Sequence, residues 1–186
     1  QSPVGVLVVP NLGNILHLPL LKKKYPHVVF VEDNCEGLFG TYGESYAGTA
    51  GLLSSLSFYG NKTITCGEGG AVLTDDEEIF DYLSRVHGQG QSTNQRYVHD
   101  VLGYNYRMTN VAAALLYGQL LDLPYILEQK RELFEFYREK LQELEGVYLQ
   151  KIEPDTAHSN WMMGIRTDIE FERAKIFMDQ KGIEIR

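Results

Sequence analysis

The sequence predicts an α/β fold: a mostly parallel central sheet with flanking helices, then the start of a smaller α+β unit. Three observations predict it. The runs Val4–Val9 and Val28–Glu32 are almost continuously apolar, as in strands buried on both faces of a parallel sheet. A helical stretch lies between them, and strand-like and helix-like segments go on alternating. Beyond Gly146 the pattern changes. That shift divides the chain into a large domain, residues 1–146, and the start of a small one, residues 147–186.

Each element has a local reason. Leu16–Tyr25 reads as a helix that stops before Pro26, because a residue preceding proline is pushed out of the helical region. With its two flanking strands it makes a βαβ unit whose crossover is expected to be right-handed. Leu53–Phe58 and Ala71–Leu73 read as two further short strands on either side of a glycine-rich turn. Thr74-Asp75-Asp76-Glu77 reads as a capping box, opening a helix that runs to about His87 and stops at Gly88.

Gly88 to His99 is a polar loop, open to reading as a lid or as plain surface. Thr109 is placed to cap the alanine-rich helix Asn110–Leu121. Asp122-Leu123-Pro124 then resets the chain into a long amphipathic helix reaching Glu145 and stopped by Gly146. Leu133, Tyr137, Leu141 and Leu144 recur at helical spacing and read as its packing face. In the final part, a strand is expected near Trp161–Ile165 and a helix from Ile169 to Lys181, ending at Gly182.

Composition sets limits on function. The 186 residues suffice for one sizeable core and part of a second. A formal net charge of −8, with no basic patch, argues against binding a nucleic-acid backbone. Two cysteines, Cys35 and Cys66, are too few for a disulfide scaffold and have no metal-ligand spacing with histidine, so no metal site is expected. They fit buried thiols in a reducing compartment, and Cys66 is near enough to Lys62 in sequence to line a pocket. Gln1-Ser2-Pro3 offers neither an initiating Met nor a basic leader. The apolar stretch that follows, to Leu21, is broken by Pro10, Asn11, Gly13, Asn14, His17 and Pro19, so neither a signal peptide nor a membrane span is expected.

The chemistry concentrates in Ser57-Phe58-Tyr59-Gly60-Asn61-Lys62-Thr63 and the glycine-rich Gly67-Glu68-Gly69-Gly70. A lysine between a short strand and such a turn is well placed to form a Schiff base with a carbonyl. The spacing of Gly60-Asn61-Lys62-Thr63 does not fit a phosphate-binding P-loop. Asp33 ends the second strand, where a parallel sheet delivers a carboxylate to the crevice at its carboxyl edge. A Schiff-base lysine with a carboxylate for a pyridinium nitrogen is the recurring arrangement of pyridoxal phosphate enzymes.

Three blocks carry a resemblance: Glu32-Asp33-Asn34-Cys35-Glu36-Gly37, then Ser57 to Lys62 with Gly67 to Gly70, then Gly103-Tyr104-Asn105-Tyr106-Arg107-Met108-Thr109. Together they resemble the DegT-type nucleotide-sugar aminotransferases, pyridoxal phosphate enzymes of fold-type I. The wording is closest to perosamine-synthase-like members, including the later His158-Ser159-Asn160-Trp161-Met162-Met163-Gly164-Ile165. The resemblance implies pyridoxal 5'-phosphate held as a Schiff base on Lys62, Asp33 at its ring nitrogen, and Ser57 at its phosphate. It also implies that Asn105 reaches the phosphate of a neighbouring subunit, in a cytoplasmic homodimer with shared sites. Glu36 matches a position near the cofactor's ring oxygen, where its negative charge calls for a proton or a partner. Arg107 is open to pairing within the protein or contacting substrate.

The implied reaction moves an amino group from L-glutamate to a nucleotide-linked keto-deoxysugar, in amino-sugar biosynthesis for surface polysaccharide or glycoconjugate. GDP-4-keto-6-deoxymannose leads from wording, with UDP- and dTDP-linked 4-keto sugars close behind. Related sugar 3-dehydratases carry His where Lys62 stands. A catalytically inert, regulatory or structural family member is the alternative. The resemblance further implies a central piece, with a phosphate-gripping turn before it and more substrate-binding residues after it.

Overall fold

The computed structural model describes residues 4–186; residues 1–3, the start of the expected large domain, lie outside the described residues. The first sheet has four strands in the order β1-β2-β5-β6. β1 (Gly5–Val8) and β2 (Val29–Asp33) run parallel through the crossover helix α1 (Leu18–Lys24), with Val6 opposite Phe30 and Val8 opposite Glu32. β5 (Ser54–Ser57) joins parallel to β2, and β6 (Gly70–Leu73) returns antiparallel along β5.

The core forms on one side only. Val8, Ile15, Leu18, Val28, Phe30, Tyr42 and Ala47 pack together, and Leu18 is fully buried. The expectation that β1 and β2 are covered on both faces is corrected here. Side chains alternate across a strand, and Leu7, on the opposite face, is 61% exposed while Val29 is also open. Within the described residues, α1 and the loop from Gly37 to Gly51 supply apolar cover for one face, and the other remains bare.

That loop carries two short strands, β3 (Thr41–Tyr42) and β4 (Ser45–Tyr46), and is fastened from below by Glu32. Its buried carboxylate accepts from the backbone N–H groups of Gly48 at 2.8 Å, Ala50 at 3.0 Å and Gly51 at 2.6 Å. Asn34 donates from Nδ2 to the Ala47 carbonyl at 2.9 Å.

Four helices follow: α2 (Glu77–His87), α3 (Asn110–Leu121), α4 (Leu123–Leu141) and α5 (Phe171–Asp179). α2 is capped by Asp76, whose side chain accepts from the Ile79 N–H at 2.9 Å, so Thr74 is not the capping residue. Its hydroxyl instead donates to the Leu52 carbonyl and accepts from Asp76 N–H, tying the helix start to the sheet. Thr109 caps α3 as expected, accepting from Ala112 N–H.

α4 ends at Leu141 rather than Glu145, because the chain turns at Leu144 and Gly146 (φ +74°) into β7 (Val147–Leu149). Leu133, Tyr137 and Leu144 are about half exposed, so the expected packing face is largely open within this chain. No single helix among the described residues is long and apolar enough to cross a membrane; α3 and α4 meet at a bend of 69°.

The last segment divides its contacts. β7 pairs with β9 (Ile165–Thr167), whereas β8 (Thr156–Ala157) pairs with β3. Trp161 to Gly164, expected as part of a strand, is irregular. Met162 N–H is spent on the Leu12 carbonyl and the Trp161 indole on Asn61, which removes the segment from any ladder.

Candidate active site

The pleat of the sheet assembles the site. Register places Glu32 opposite Ser54 and Asp33 opposite Ser55, so Glu32 and Ser54 share the covered face. Asp33, Ser55 and Ser57 share the open one. Two donors converge on a single oxygen of Asp33: Ser55 Oγ donates to Oδ1 at 3.1 Å and Cys35 N–H to the same oxygen at 3.3 Å. The Cys35 thiol lies 3.4 Å from Ser55 Oγ. Asp33 is held below the usual carboxylate range, first by the Cys35 thiol beside it. Burial opposes this, and the Cys35 N–H, the Ser55 hydroxyl and the Lys62 charge support it. Burial in turn pushes the Cys35 thiol up, with the Asp33 carboxylate adding to the effect.

Lys62 lies one turn beyond β5. Its N–H donates to the Tyr59 carbonyl at 2.9 Å, and Ser57 Oγ accepts from Tyr59 N–H at 3.3 Å, closing a compact turn over the strand end. The loop that follows is anchored by buried Ile64 and by α3. Gln119 brackets Thr65 there, accepting from its N–H at 2.9 Å and donating to its carbonyl at 2.7 Å. Gly67 turns the loop back with φ +85°, a conformation that disfavours a side chain. Cys66 is half-buried in this loop, its thiol donating to the Glu68 carbonyl.

Above the lysine sits Trp161. Lys62 Nζ is 3.8 Å from the centre of the indole ring, and indole Nε1 donates to the Asn61 carbonyl at 3.0 Å. An ammonium over an indole face is an attractive arrangement, more so as water is excluded. Beside the turn lies an open depression of about 510 Å³ lined by Tyr59, Gly60, Asn61, Gly67, Glu68 and Arg186.

Glu36 has a protein partner. Its Oε2 accepts from Leu12 N–H at 2.6 Å, a hydrogen bond that orients the carboxylate without neutralising it. Its carbonyl accepts from Ser159 Oγ at 2.7 Å, so the 158–162 segment is strapped across both the Glu36 turn and the Lys62 turn. Asn105 is placed apart from this group. It is exposed and bridges Gly88 in an antiparallel pair, and its sequence neighbours Tyr104 and Tyr106 stack on each other. Arg107, next along, is exposed as well.

The structure therefore brings Asp33, Ser57 and Lys62 to one strand edge, sets Glu36 on the adjoining turn, and leaves Asn105 outward. Sequence reasoning missed Ser55 and Gln119, and gave Trp161 only a place in an expected strand. For Ser55 a signal existed: period-two spacing puts it on the face of Ser57. Gln119 and Trp161 depend on contacts across 54 and 100 residues, which no local pattern records.

The residues suit an anionic, pyridine-bearing aldehyde. Asp33 has a carboxylate with one oxygen occupied, Ser57 a hydroxyl at a strand end, and Lys62 a primary amine whose charge reaches Asp33. No cluster of metal-ligating side chains occurs among the described residues.

Comparison with known proteins is consistent with that chemistry. The sequence pattern of the DegT/DnrJ/EryC1/StrS aminotransferase family matches residues 4–186. GDP-perosamine synthase of Escherichia coli O157:H7 is 41% identical over 161 residues, covering 85% of this chain and 44% of that protein. GDP-perosamine synthase of Vibrio cholerae is 38% identical over 165 residues, with 86% and 45% covered. The crystal structure of a GDP-4-keto-6-deoxymannose-3-dehydratase with a trapped PLP-glutamate geminal diamine superposes with a TM-score of 0.88 at 26% identity. It covers all of this chain and 54% of that one. The chain spans about half the length of the curated relatives it matches.

Proposed function

The chain belongs to the DegT/DnrJ/EryC1/StrS aminotransferase family, and from that premise we propose that it carries the catalytic lysine of a pyridoxal-phosphate-dependent nucleotide-sugar aminotransferase. The amino donor is L-glutamate and the acceptor a nucleotide-linked keto-deoxysugar. The names of the Escherichia coli and Vibrio cholerae relatives favour a GDP-linked one. The observation that carries the reading is the Lys62 charge acting on Asp33 at the carboxyl edge of parallel strands.

Bound pyridoxal phosphate supplies an electron-accepting ring, effective while its nitrogen stays protonated. Asp33 keeps that proton in place, since an opposite charge at contact distance favours the charged form. Ser57 offers its hydroxyl to the phosphate. Lys62 would hold the cofactor through its Nζ, and as a free amine the same atom would move a proton at the reacting carbons as general base and acid. Trp161 forms the wall above that amine. Glu36, held by Leu12 N–H, stands at the ring-oxygen side.

Asn105 completes the phosphate site of a second copy, in a homodimer with shared sites. Residues 147–186 open a smaller domain, and the protein works in the cytoplasm on soluble substrates for amino-sugar biosynthesis.

Borohydride reduction of the holoprotein followed by peptide mapping tests the assignment: the added mass is expected on Lys62. Mass on any other lysine overturns it. Incubation with glutamate and a panel of nucleotide keto-sugars, read by mass, names the acceptor.

A further inference from the structure

Asp33 has two carboxylate oxygens in unequal circumstances. Oδ1 receives both protein donors, Ser55 Oγ and Cys35 N–H. Oδ2 thereby keeps its lone pairs for a donor from outside the protein. The direction of the small network follows from counting protons. A serine hydroxyl has one proton to give, and Ser55 gives it to the carboxylate, which only accepts. The Cys35 thiol lies 3.4 Å from Ser55 Oγ and beside the carboxylate as well. Ser55 and the thiol thus flank Asp33 together, with the Ser55 proton on Oδ1.

We propose that Ser55, backed by the Cys35 thiol, is a positioning residue that locks the carboxylate plane of Asp33 so that Oδ2 faces the cofactor ring nitrogen. The proposal rests on the cofactor reading above. Ser55 touches neither cofactor nor substrate; it acts through Asp33. Its place is set by the sheet, since β5 carries Ser55 opposite Asp33 in the parallel register and on the same face. A rotamer lock of this kind matters because a carboxylate on one flexible torsion otherwise spreads its lone pairs over several directions. A misaligned hydrogen bond weakens steeply. The charged groups facing Asp33 besides this network are the Lys62 ammonium alone among those that shift its titration.

The test uses Ser55→Ala and Ser55→Thr in the whole protein, with aspartate labelled at its carboxyl carbon and the Asp33 signal assigned by its loss in Asp33→Asn. In the cofactor-free protein, Ser55→Ala is expected to raise the Asp33 titration midpoint, and Ser55→Thr, which restores the hydroxyl on a strand-favouring residue, to return it toward the parent. In the holoprotein, Ser55→Ala is expected to slow the glutamate half-reaction about 10-fold through kcat rather than KM, as for one lost hydrogen bond to a charged group. The cofactor absorbance should titrate at lower pH.

An Asp33 midpoint unmoved in folded Ser55→Ala overturns the positioning role. A midpoint that moves while Asp33→Asn itself leaves the cofactor spectrum unchanged supports the lock, and overturns instead the assignment of Asp33 to the ring nitrogen.

Discussion

The strand edge at Glu32–Asn34 and the stretch from Tyr97 to Leu121 invert the usual rule of inside and outside. At the strand edge the buried groups are polar: Glu32 is 2% exposed and Asn34 fully covered. Around α3 the open groups are apolar, with Tyr106 69% and Val111 74% exposed beside Leu115, Tyr117 and Leu121. The difference lies in where the partners are. Glu32 finds three backbone N–H groups within its own chain, so its burial is compensated on the spot. The α3 surface finds no such cover among the described residues. The Glu32 carboxylate is satisfied within its own chain, while Asn34 Oδ1 and Ser54 Oγ beside it lie buried without a protein partner. The α3 surface is open.

The largest effect should come from the strand edge's reactive end. Lys62→Ala is expected to abolish turnover while still binding aminated cofactor, as read by absorbance and steady-state assay. Turnover within about 100-fold of the parent would remove Lys62 as the proton carrier. Next comes Asp33→Asn, which keeps the shape and removes the charge. The glutamate half-reaction should slow about 10²–10³-fold with little change in folding; a rate within a few-fold of the parent would make Asp33 structural.

Glu32→Ala tests the fastening of the strand edge directly. Three donors lose their acceptor, and the denaturation midpoint in urea should fall by an amount equivalent to roughly 3–5 kcal/mol. A variant as stable as the parent would mean that water replaces the carboxylate and that the loop is not fastened by it.

The open region is probed by mixing Lys62→Ala and Asn105→Ala chains. In a shared-site dimer, half of the chains' pairings are mixed and each mixed dimer holds one intact site. Recovery should therefore approach about a quarter of parental activity. No recovery in a sample shown to contain mixed dimers would return Asn105 to its own subunit.

The smallest effect concerns the strap between them. His158 is buried against Phe134, with ring centres 4.6 Å apart, and desolvation lowers its pKa from 6.5 to about 4. Nδ1 accepts from Asn160 N–H at 2.9 Å, so the proton sits on Nε2 and reaches Gln150 Oε1 at 3.2 Å. Charging the ring would require protonating Nδ1 and breaking the Asn160 bond. The folded pKa lies below the unfolded one, so the contribution is intact above pH 6.5 and is lost as pH falls toward 4. The loss should reach about 2 kcal/mol after allowing for solvent screening. Denaturation midpoints from pH 7.5 to 4 read it, and His158→Gln should flatten the dependence; an unchanged slope would place the titration elsewhere.

Local physics made much of this legible in the chain itself. The cap at Thr109, the stop at Gly88, and the places of Asp33 at a strand end and Lys62 in a turn each depend on neighbours a few residues away, and the βαβ unit on the order of such elements. Period-two alternation, helix capping and glycine punctuation all act at that range. What the tertiary structure alone decided lies between distant segments. Glu36 became a partnered carboxylate because Leu12 turns toward it, and Trp161 became the wall over Lys62 because β8 returns to β3. Leu7 and Leu133 remained open although their spacing reads as buried, since periodicity reports that a face is apolar and not what covers it. Sequence records propensity along the chain, whereas cover, register and hydrogen-bond direction exist only once separate segments meet.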